Sequence, residues 1–199
     1  MPLPSASPRK RLHTRQVRYE GYARDDGLFD VDATLLDVKD HDCALLSGVR
    51  EAGDPVHAMA ARVTIDRHGV IQSVATCSDR VPYTGYCEEH GNAYRALVGL
   101  SLFDNFRLKL FAAVGRTHGC THLTELLAYL PTAALQTFAG LQREDAGERK
   151  PFQLDRCHAL RSDGAAVQRY YPKWHRAAAP LQEGRATPAE PAFDLKEGK

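Results

Sequence analysis

The stretch from Arg116 to Leu130 constrains the fold more than any other part of this chain. Its leucines recur at i, i+3, i+4 and i+7, which is the spacing of one face of an amphipathic helix. These are Leu123, Leu126, Leu127 and Leu130. Gly119 lets the chain turn sharply into this helix, and Thr121 suits the N-cap position. The stretch therefore predicts a helix that starts close to Cys120 and packs its apolar face on the rest of the protein.

Cys120 stands between two histidines at the predicted start of this helix, with His118 before it and His122 after it. Unpaired backbone N–H groups and the positive end of the helix dipole favour a thiolate there. Either histidine could act as a base, as a metal ligand, or as an imidazolium that lowers the pKa of the thiol. The alternative is a small buried cysteine flanked by two histidines that face solvent.

A β-hairpin is predicted over residues 56–76. Apolar side chains alternate from Met59 to Ile65, the turn signal 66–69 follows, and a second β-rich run reaches Thr76. We expect its inner face to pack on the helix that begins near Thr121. An earlier alternation from Phe29 to Leu35 predicts a further strand. After Cys87 the pattern becomes helical. The chain is therefore predicted to be an α+β protein with a small antiparallel sheet packed against three or four helices.

The ends of the chain differ in composition from its middle. Residues 1–12 are rich in proline and basic side chains and predict a flexible basic arm, whereas 177–199 predict a disordered tail. A single α+β domain is expected over 13–176, with a charged linker at 142–150. Asp26, Asp30 and Asp32 are expected near Arg24 or Lys39 rather than near Cys120, because a cluster of like charges needs cations beside it.

Charge and cysteine content exclude several classes of protein. A formal net charge of +1 over 199 residues argues against strong non-specific binding to nucleic acid or to anionic membranes. No apolar run approaches the roughly 18 to 20 residues of a membrane-spanning helix, and the first residues lack an apolar core, so a cytoplasmic protein is expected. Five cysteines, an odd number, fit reduced thiols or metal ligands better than a disulfide framework. A protein partner or a homo-oligomer is compatible with this composition.

Several separated motifs resemble a bacterial family of domains of unknown function. They are Arg24-Asp25-Asp26-Gly27-Leu28-Phe29-Asp30, Gly119-Cys120-Thr121-His122-Leu123, Cys157-His158-Ala159-Leu160 and Tyr171-Pro172-x-Trp174. The resemblance covers roughly residues 10 to 176. It implies no particular activity.

The order of elements from Asp54 to Phe138 is also similar to the NifU/IscU iron–sulfur scaffold fold, here with an N-terminal β extension. The hairpin comes first, Cys87 then precedes a helix ending in Leu97-Val98-Gly99, and His118-Gly119-Cys120 resembles the His-Cys pair that opens the last helix. No cysteine stands at the position of the scaffold's first ligand, where Ala52-Gly53-Asp54 occurs instead. Clusters of that type normally need three cysteines and a fourth ligand.

This second resemblance implies a metal site, with Cys87 and Cys120 close together and His118 or His122 beside them. Asp54 would be a further ligand. Such ligands suit zinc or iron, and an iron–sulfur cluster is the alternative. Cys157 and His158 could supplement the site. Cys43 and Cys77 are interpreted as structural, and no spacing singles out the remaining histidines, which include His13, His57, His68 and His175.

Three functions follow from these patterns. The first is a metal- or thiol-dependent protein, for example a small enzyme that uses Cys120 with His118 or His122. The second is an iron–sulfur or zinc scaffold that carries its metal to a partner without catalysis. The third is a small-molecule-binding accessory module in which the cysteines and histidines are structural. The sequence leaves open whether the protein is an enzyme.

Overall fold

A computed structural model of the chain describes residues 3–90, 92–139, 141, 150–151 and 153–177. Its long strands are β1 (His13–Ala23), β2 (Phe29–Lys39), β5 (Pro55–Ile65) and β6 (Ile71–Arg80); the short strands β3 (Cys43–Leu45) and β4 (Gly48–Arg50) pair with each other. The α-helices among the described residues are α1 (Phe106–Val114), α2 (Thr121–Ala128), α3 (Leu130–Phe138) and α4 (Ala165–Tyr170). Short 3-10 helices span Ala93–Leu97, Arg116–His118 and Pro172–Trp174. The long strands form one antiparallel sheet in the order β1-β2-β5-β6, which confirms the predicted α+β class.

The chain divides into two compact units, Met1–Gln142 and Arg143–Lys199. The four-stranded sheet and helices α1 to α3 belong to the first unit, and α4 belongs to the second. Residues 3–12 are exposed and lie outside any strand or helix. The linker predicted at 142–150 and the tail predicted at 177–199 fall almost entirely outside the described residues. A single domain over 13–176 stays a prediction.

The predicted hairpin over 56–76 is confirmed by strands β5 and β6. The turn between them is held by the Asp66 carboxylate, which accepts the backbone N–H groups of His68 at 2.8 Å and Val70 at 3.0 Å. Gly69 has φ +75°, a left-handed conformation that glycine adopts without strain. A Cβ added there would lie 2.5 Å from the Phe103 ring, so the turn also allows close packing.

The inner face of the sheet packs against the helices, as the two periodicities predict. Met59 and Val63 of β5 are 4% and 0% exposed, and Leu126 and Leu127 of α2 are 2% and 0% exposed. All four belong to one apolar core. Full burial of a leucine contributes about 1.5 to 3 kcal/mol to stability. The sheet and α2 are therefore held together by their apolar faces.

Helix α2 begins one residue earlier than the sequence suggests. Thr121 is its first residue and Cys120 is its N-cap, whereas the sequence predicts Thr121 as the cap. The Tyr94 hydroxyl donates to the carbonyl oxygen of Cys120 at 2.8 Å and lies 3.1 Å from the hydroxyl of Thr124. A buried tyrosine therefore fixes the position of the chain where the helix begins.

Charged side chains on the outer face of the sheet pair with one another. Arg24 binds Asp26 at 2.6 Å and Asp30 at 3.4 Å, and Arg62 binds Asp32 at 2.6 Å. Arg24 is therefore the neighbour of two of the three predicted carboxylates, and Arg62 neutralises the third. Asp30 and Asp32 lie on the face of the sheet opposite to the core, and Asp26 lies in the turn between β1 and β2.

Candidate functional site

The side chains predicted for the site converge on one cavity of about 650 Å³ in the first unit. Cys87, His118, Cys120 and His122 all line it. The cysteines predicted to approach each other therefore share a cavity. Asp54 does not line it: this residue lies exposed before β5, where its N–H donates to the carbonyl oxygen of Glu51 at 3.0 Å.

The cavity has two walls of different construction. One wall is the sheet, which contributes His57 and Met59 from β5. The other is formed by the segment after β6 and by the approach to α2. Its lining residues are Pro82, Tyr83, Tyr86, Cys87, Glu89, His90, Thr117, His118, Gly119, Cys120, Thr121 and His122.

A polar row crosses the inner face of the sheet at this cavity. Leu35 is buried on β2, and Asp37 is the next residue on the same face because side chains in a strand alternate. The strand register places Arg15 of β1 and His57 of β5 directly opposite Asp37. The pairing of β2 with β5 becomes irregular immediately after this row. Bulges and irregularities of this kind often lie beside functional sites.

Asp37 is the centre of this row and is 3% exposed. Arg15 donates to both carboxylate oxygens of Asp37, from Nε to Oδ1 at 2.7 Å and from a terminal guanidinium nitrogen to Oδ2 at 2.8 Å. A histidine nitrogen also lies beside each oxygen: His13 Nε2 is 2.9 Å from Oδ1, and His57 Nδ1 is 3.0 Å from Oδ2. Burial alone would raise the pKa of Asp37, but the bonds from Arg15 and His13 outweigh it and lower the pKa to about 2. Asp37 is therefore a carboxylate at neutral pH, with every acceptor position engaged.

His57 and His122 stack on each other in front of Asp37. Their ring centroids are 3.9 Å apart, and the planes are inclined by 35°. Burial lowers the pKa of His57, and the neighbouring His122 lowers it further. Burial and then Arg15 lower the pKa of His122. Both rings are therefore neutral at pH 7, the form in which imidazole binds metal ions or accepts a proton.

Cys120 lies at the edge of this histidine pair. Its Sγ is 4.0 Å from His122 Nδ1 and 4.0 Å from the sulfur of Met59. As the N-cap of α2, Cys120 also stands at the positive end of an eight-residue helix. Cys120 and His122 thus form the thiol–imidazole neighbourhood that the sequence predicts.

One group among the described residues has the spacing of a metal site. A ligand atom from each of Asp37, His57 and His122 lies within 4.8 Å of the other two. Two histidines and a carboxylate suit zinc, iron or manganese. The group joins one residue that the sequence predicts, His122, to two that it does not.

Comparison with known families assigns the chain. The model of a protein family of unknown function, DUF2889, matches residues 13–136. This chain belongs to the DUF2889 family. The matched range contains Arg15, Asp37, His57, Cys120 and His122, so the whole polar row and its neighbours lie inside the DUF2889 domain. Comparison with curated proteins and with solved structures gave no match.

The family match bears on both resemblances seen in the sequence, to the family of unknown function and to the NifU/IscU scaffold. The DUF2889 match ends at residue 136, so the motifs beginning at Cys157 and Tyr171 lie beyond it. The resemblance to the NifU/IscU scaffold is not supported by any match. Among the described residues, no helix is both long and apolar enough to span a membrane.

The remaining histidines of the DUF2889 cavity have separate roles. His118 Nδ1 lies 3.2 Å from the carbonyl oxygen of Gly115, which ties it to its own loop. Both ring nitrogens of His90 are buried without a hydrogen-bond partner in the described part of the chain, and its ring packs edge-on against Tyr94 with centroids 5.5 Å apart. Native proteins pair nearly all buried polar groups. His90 is therefore the lining residue best suited to contact a bound molecule.

Sequence reasoning missed Arg15, Asp37 and His57 as site residues of the DUF2889 domain, although a signal for two of them was present. Asp37 is two residues after Leu35, the last apolar residue on the core-facing side of its predicted strand. In the same way, His57 is two residues before Met59, the first core-facing apolar residue of the predicted hairpin. A carboxylate and an imidazole at core-facing positions are unusual enough to mark a site. Their meeting in one row depends on strand register, which neither strand reveals alone.

Proposed function

We propose that this DUF2889 protein is a metal-dependent enzyme whose centre holds a divalent transition-metal ion, zinc or iron(II), on His57, His122 and Cys120. The observation that carries the proposal is the pair formed by His57 and His122, whose ring centroids lie 3.9 Å apart and whose ligand atoms lie within 4.8 Å of each other beside Asp37. The Cys120 thiol adds a third N or S ligand 4.0 Å from His122. Nitrogen and sulfur ligands of this type suit both metals.

Asp37 would hold the ligand His57 rather than the metal ion itself. Its four acceptor positions face Arg15, His13 and His57. If His57 donates its Nδ1–H to Asp37, its Nε2 lone pair remains for a metal. Metal-binding histidines almost always donate their second nitrogen to a carboxylate or carbonyl in this way. Asp37 therefore fixes the tautomer and the orientation of His57, and Arg15 keeps Asp37 ionised.

The open cavity in front of this group suits catalysis better than a purely structural role. Catalytic zinc sites have three protein ligands and leave one position for water or substrate. The cavity of about 650 Å³ provides the space for that fourth ligand. When bound, a metal here would supply a lowered pKa for a bound water and would polarise a substrate carbonyl or phosphoryl group. His90, with two unpartnered ring nitrogens, would then bind the substrate beside the metal.

The remaining predicted ligands have weaker support. Cys87 and His118 line the cavity, but His118 already contacts the carbonyl oxygen of Gly115. Asp54 is exposed and lies away from the lining. The iron–sulfur scaffold remains the non-catalytic alternative, and bound sulfide would distinguish it.

A thiol-dependent enzyme without metal is the second candidate. The observation in its favour is the 4.0 Å separation of Cys120 Sγ and His122 Nδ1 at the start of a helix. In that case His122 accepts the thiol proton and Cys120 attacks the substrate as a thiolate. His57, stacked on His122, would position the base.

Metal analysis of the full chain purified without oxygen separates these functions. We expect about one zinc or iron ion per chain without sulfide, because a site of this type holds a single ion. His57→Ala, His122→Ala and Cys120→Ser should each lose the metal. As controls, His68→Ala and Cys77→Ser alter exposed residues and should keep it.

The opposite results are also informative. Stoichiometric sulfide would indicate the scaffold. A metal-free wild type that reacts rapidly with iodoacetamide, and slowly once His122 is changed to Ala, would indicate the thiol enzyme, since the thiolate is the reactive form. Metal that stays bound in all three ligand variants would refute the proposed centre.

A further inference from the structure

The two edges of the main sheet are protected unequally. At the β6 edge, the backbone of Ile71 is bonded to Leu100 at 2.9 Å and Gly99 at 2.8 Å, and a β-bridge joins Val70 to Ser101. The pairing of β6 with β5 also contains two irregularities. Covering segments and bulges are the usual protection of an edge strand.

The β1 edge has none of these features within the described residues. All eleven residues of β1 pair with β2 in one unbroken register, from His13 opposite Lys39 to Ala23 opposite Phe29. The strand contains no proline. An edge that is long and regular in this way can add another strand through its backbone.

The hydrogen bonds at both ends of the β1–β2 pair show which backbone groups face outward. Arg24 N–H donates to the Leu28 carbonyl at 2.9 Å, and Asp40 N–H donates to the Leu12 carbonyl at 3.4 Å. Hydrogen-bonded pairs alternate along an antiparallel ladder, so the even-numbered residues of β1 bond to β2. The N–H and C=O groups of odd-numbered residues, such as Val17 and Tyr19, therefore point away from the sheet.

Charges on the outer face of β1 fit a second copy of the same strand. Arg18 and Glu20 are two residues apart, and their side chains meet at 2.6 Å. If two β1 strands pair antiparallel with Tyr19 opposite Tyr19, Arg18 of each chain lies opposite Glu20 of the other. If the two-fold axis moves by one residue, to Arg18 or to Glu20, then Arg18 lies opposite Arg18 or Glu20 lies opposite Glu20, and like charges directly opposite are destabilising.

We propose that this protein forms a symmetric dimer through antiparallel pairing of β1 with β1, centred on Tyr19. Each copy contributes the same surface, as two-fold symmetry requires. The two four-stranded sheets would join into one continuous sheet of eight strands. The odd-numbered backbone groups supply the hydrogen bonds, and the two crossed pairs of Arg18 and Glu20 select the register. This inference is independent of the metal centre.

Charge reversal provides a test that contains its own control. Arg18→Glu and Glu20→Arg should each be monomeric in sedimentation experiments, because like charges then face each other across the axis. An equimolar mixture of the two variants should form a heterodimer, since each charge then meets its opposite. The double variant Arg18→Glu/Glu20→Arg should dimerise as the wild type does. Far-UV circular dichroism checks that each variant is folded.

A backbone variant tests the same interface without changing charge. Val17→Pro removes one outward N–H and leaves the β2 ladder intact, and proline is tolerated on edge strands. It should dissociate the dimer. A wild type that is monomeric over roughly 1 to 300 μM, the range in which weak dimers dissociate, would overturn the proposal. So would a dimer that persists in Val17→Pro and in both single charge reversals.

Discussion

The contact between Gly21 of β1 and Thr137 of α3 gives a sharp test of how helix and sheet fit together. A Cβ added at Gly21 would lie 1.9 Å from Thr137 Oγ1, 2.6 Å from its Cγ2 and 2.7 Å from its Cβ. Thr137 cannot turn aside easily, because it is β-branched and its hydroxyl donates to the Ala133 carbonyl at 3.1 Å. The Gly21→Ala substitution must therefore displace the helix or the strand.

Two opposing terms set the size of this effect. Replacing glycine by alanine where there is room stabilises a protein by about 0.4 to 1 kcal/mol, because the unfolded chain loses freedom. Overpacking costs about 1 to 3 kcal/mol. With three atoms closer than van der Waals contact, we expect overpacking to dominate, so Gly21→Ala should lower the free energy of unfolding by about 1 to 2 kcal/mol.

A double-mutant cycle isolates this contact. Thr137→Ala removes Oγ1 and Cγ2, so the cost of Gly21→Ala in unfolding free energy should be smaller in a Thr137→Ala protein than in the wild type. It should be smaller still in a Thr137→Gly protein, which also lacks the Cβ. Urea unfolding followed by circular dichroism is the suitable assay, because the single tryptophan, Trp174, belongs to the second unit. If Gly21→Ala leaves the unfolding free energy unchanged both in the wild type and in the Thr137→Ala protein, α3 does not pack on Gly21 as described.

Three further predictions address the core, the start of α2 and the response to acid. Leu127→Ala should cost about 2 to 5 kcal/mol in urea unfolding, whereas Leu108→Ala, on a side chain 74% exposed, should cost far less. Tyr94→Phe removes the hydroxyl that binds the first turn of α2 and should cost about 0.5 to 1.5 kcal/mol by the same assay. Because the pKa of Asp37 is lowered to about 2, the stability it provides is complete above its unfolded-state pKa of about 3.9 and is lost as the pH falls towards 2. Asp37→Asn should remove this acid-sensitive part, which is about 2.6 kcal/mol in all. About half of it should be lost between pH 5 and pH 3, so unfolding free energies of metal-free protein at those two pH values should differ less in the variant than in the wild type by about 1.2 kcal/mol.

The fold was predictable wherever a local pattern carried the information. Alternation from Met59 to Ile65 and the turn 66–69 were sufficient for the hairpin, and the leucine spacing after Cys120 was sufficient for α2. The error at the N-cap was one residue, because both Cys120 and Thr121 precede the apolar stripe. The division near residue 142 depends on contacts between distant residues, which no local pattern contains.

The site divides in the same way between local and long-range information. Cys120 and His122 are neighbours in sequence and were predicted together. Arg15, Asp37 and His57 lie about twenty residues apart, and they meet because three strands pair in one register. A register is decided by burial of the whole sheet face, so a reading of single segments could place each residue on a face but could not bring the three into contact.

The two walls of the cavity imply different freedom to change within the family. His57 belongs to a strand, and Cys120 and His122 lie at the start of α2. Displacing either element would disturb the core, so the proposed ligands are tied to the folding of the sheet and of this helix. The part of the opposite wall that includes Tyr83, Tyr86 and His90 is built from turns after β6. Loops accept substitutions and insertions more readily than strands. Relatives could therefore keep the proposed metal site on the sheet and α2 and still bind different molecules through changes in the loop after β6.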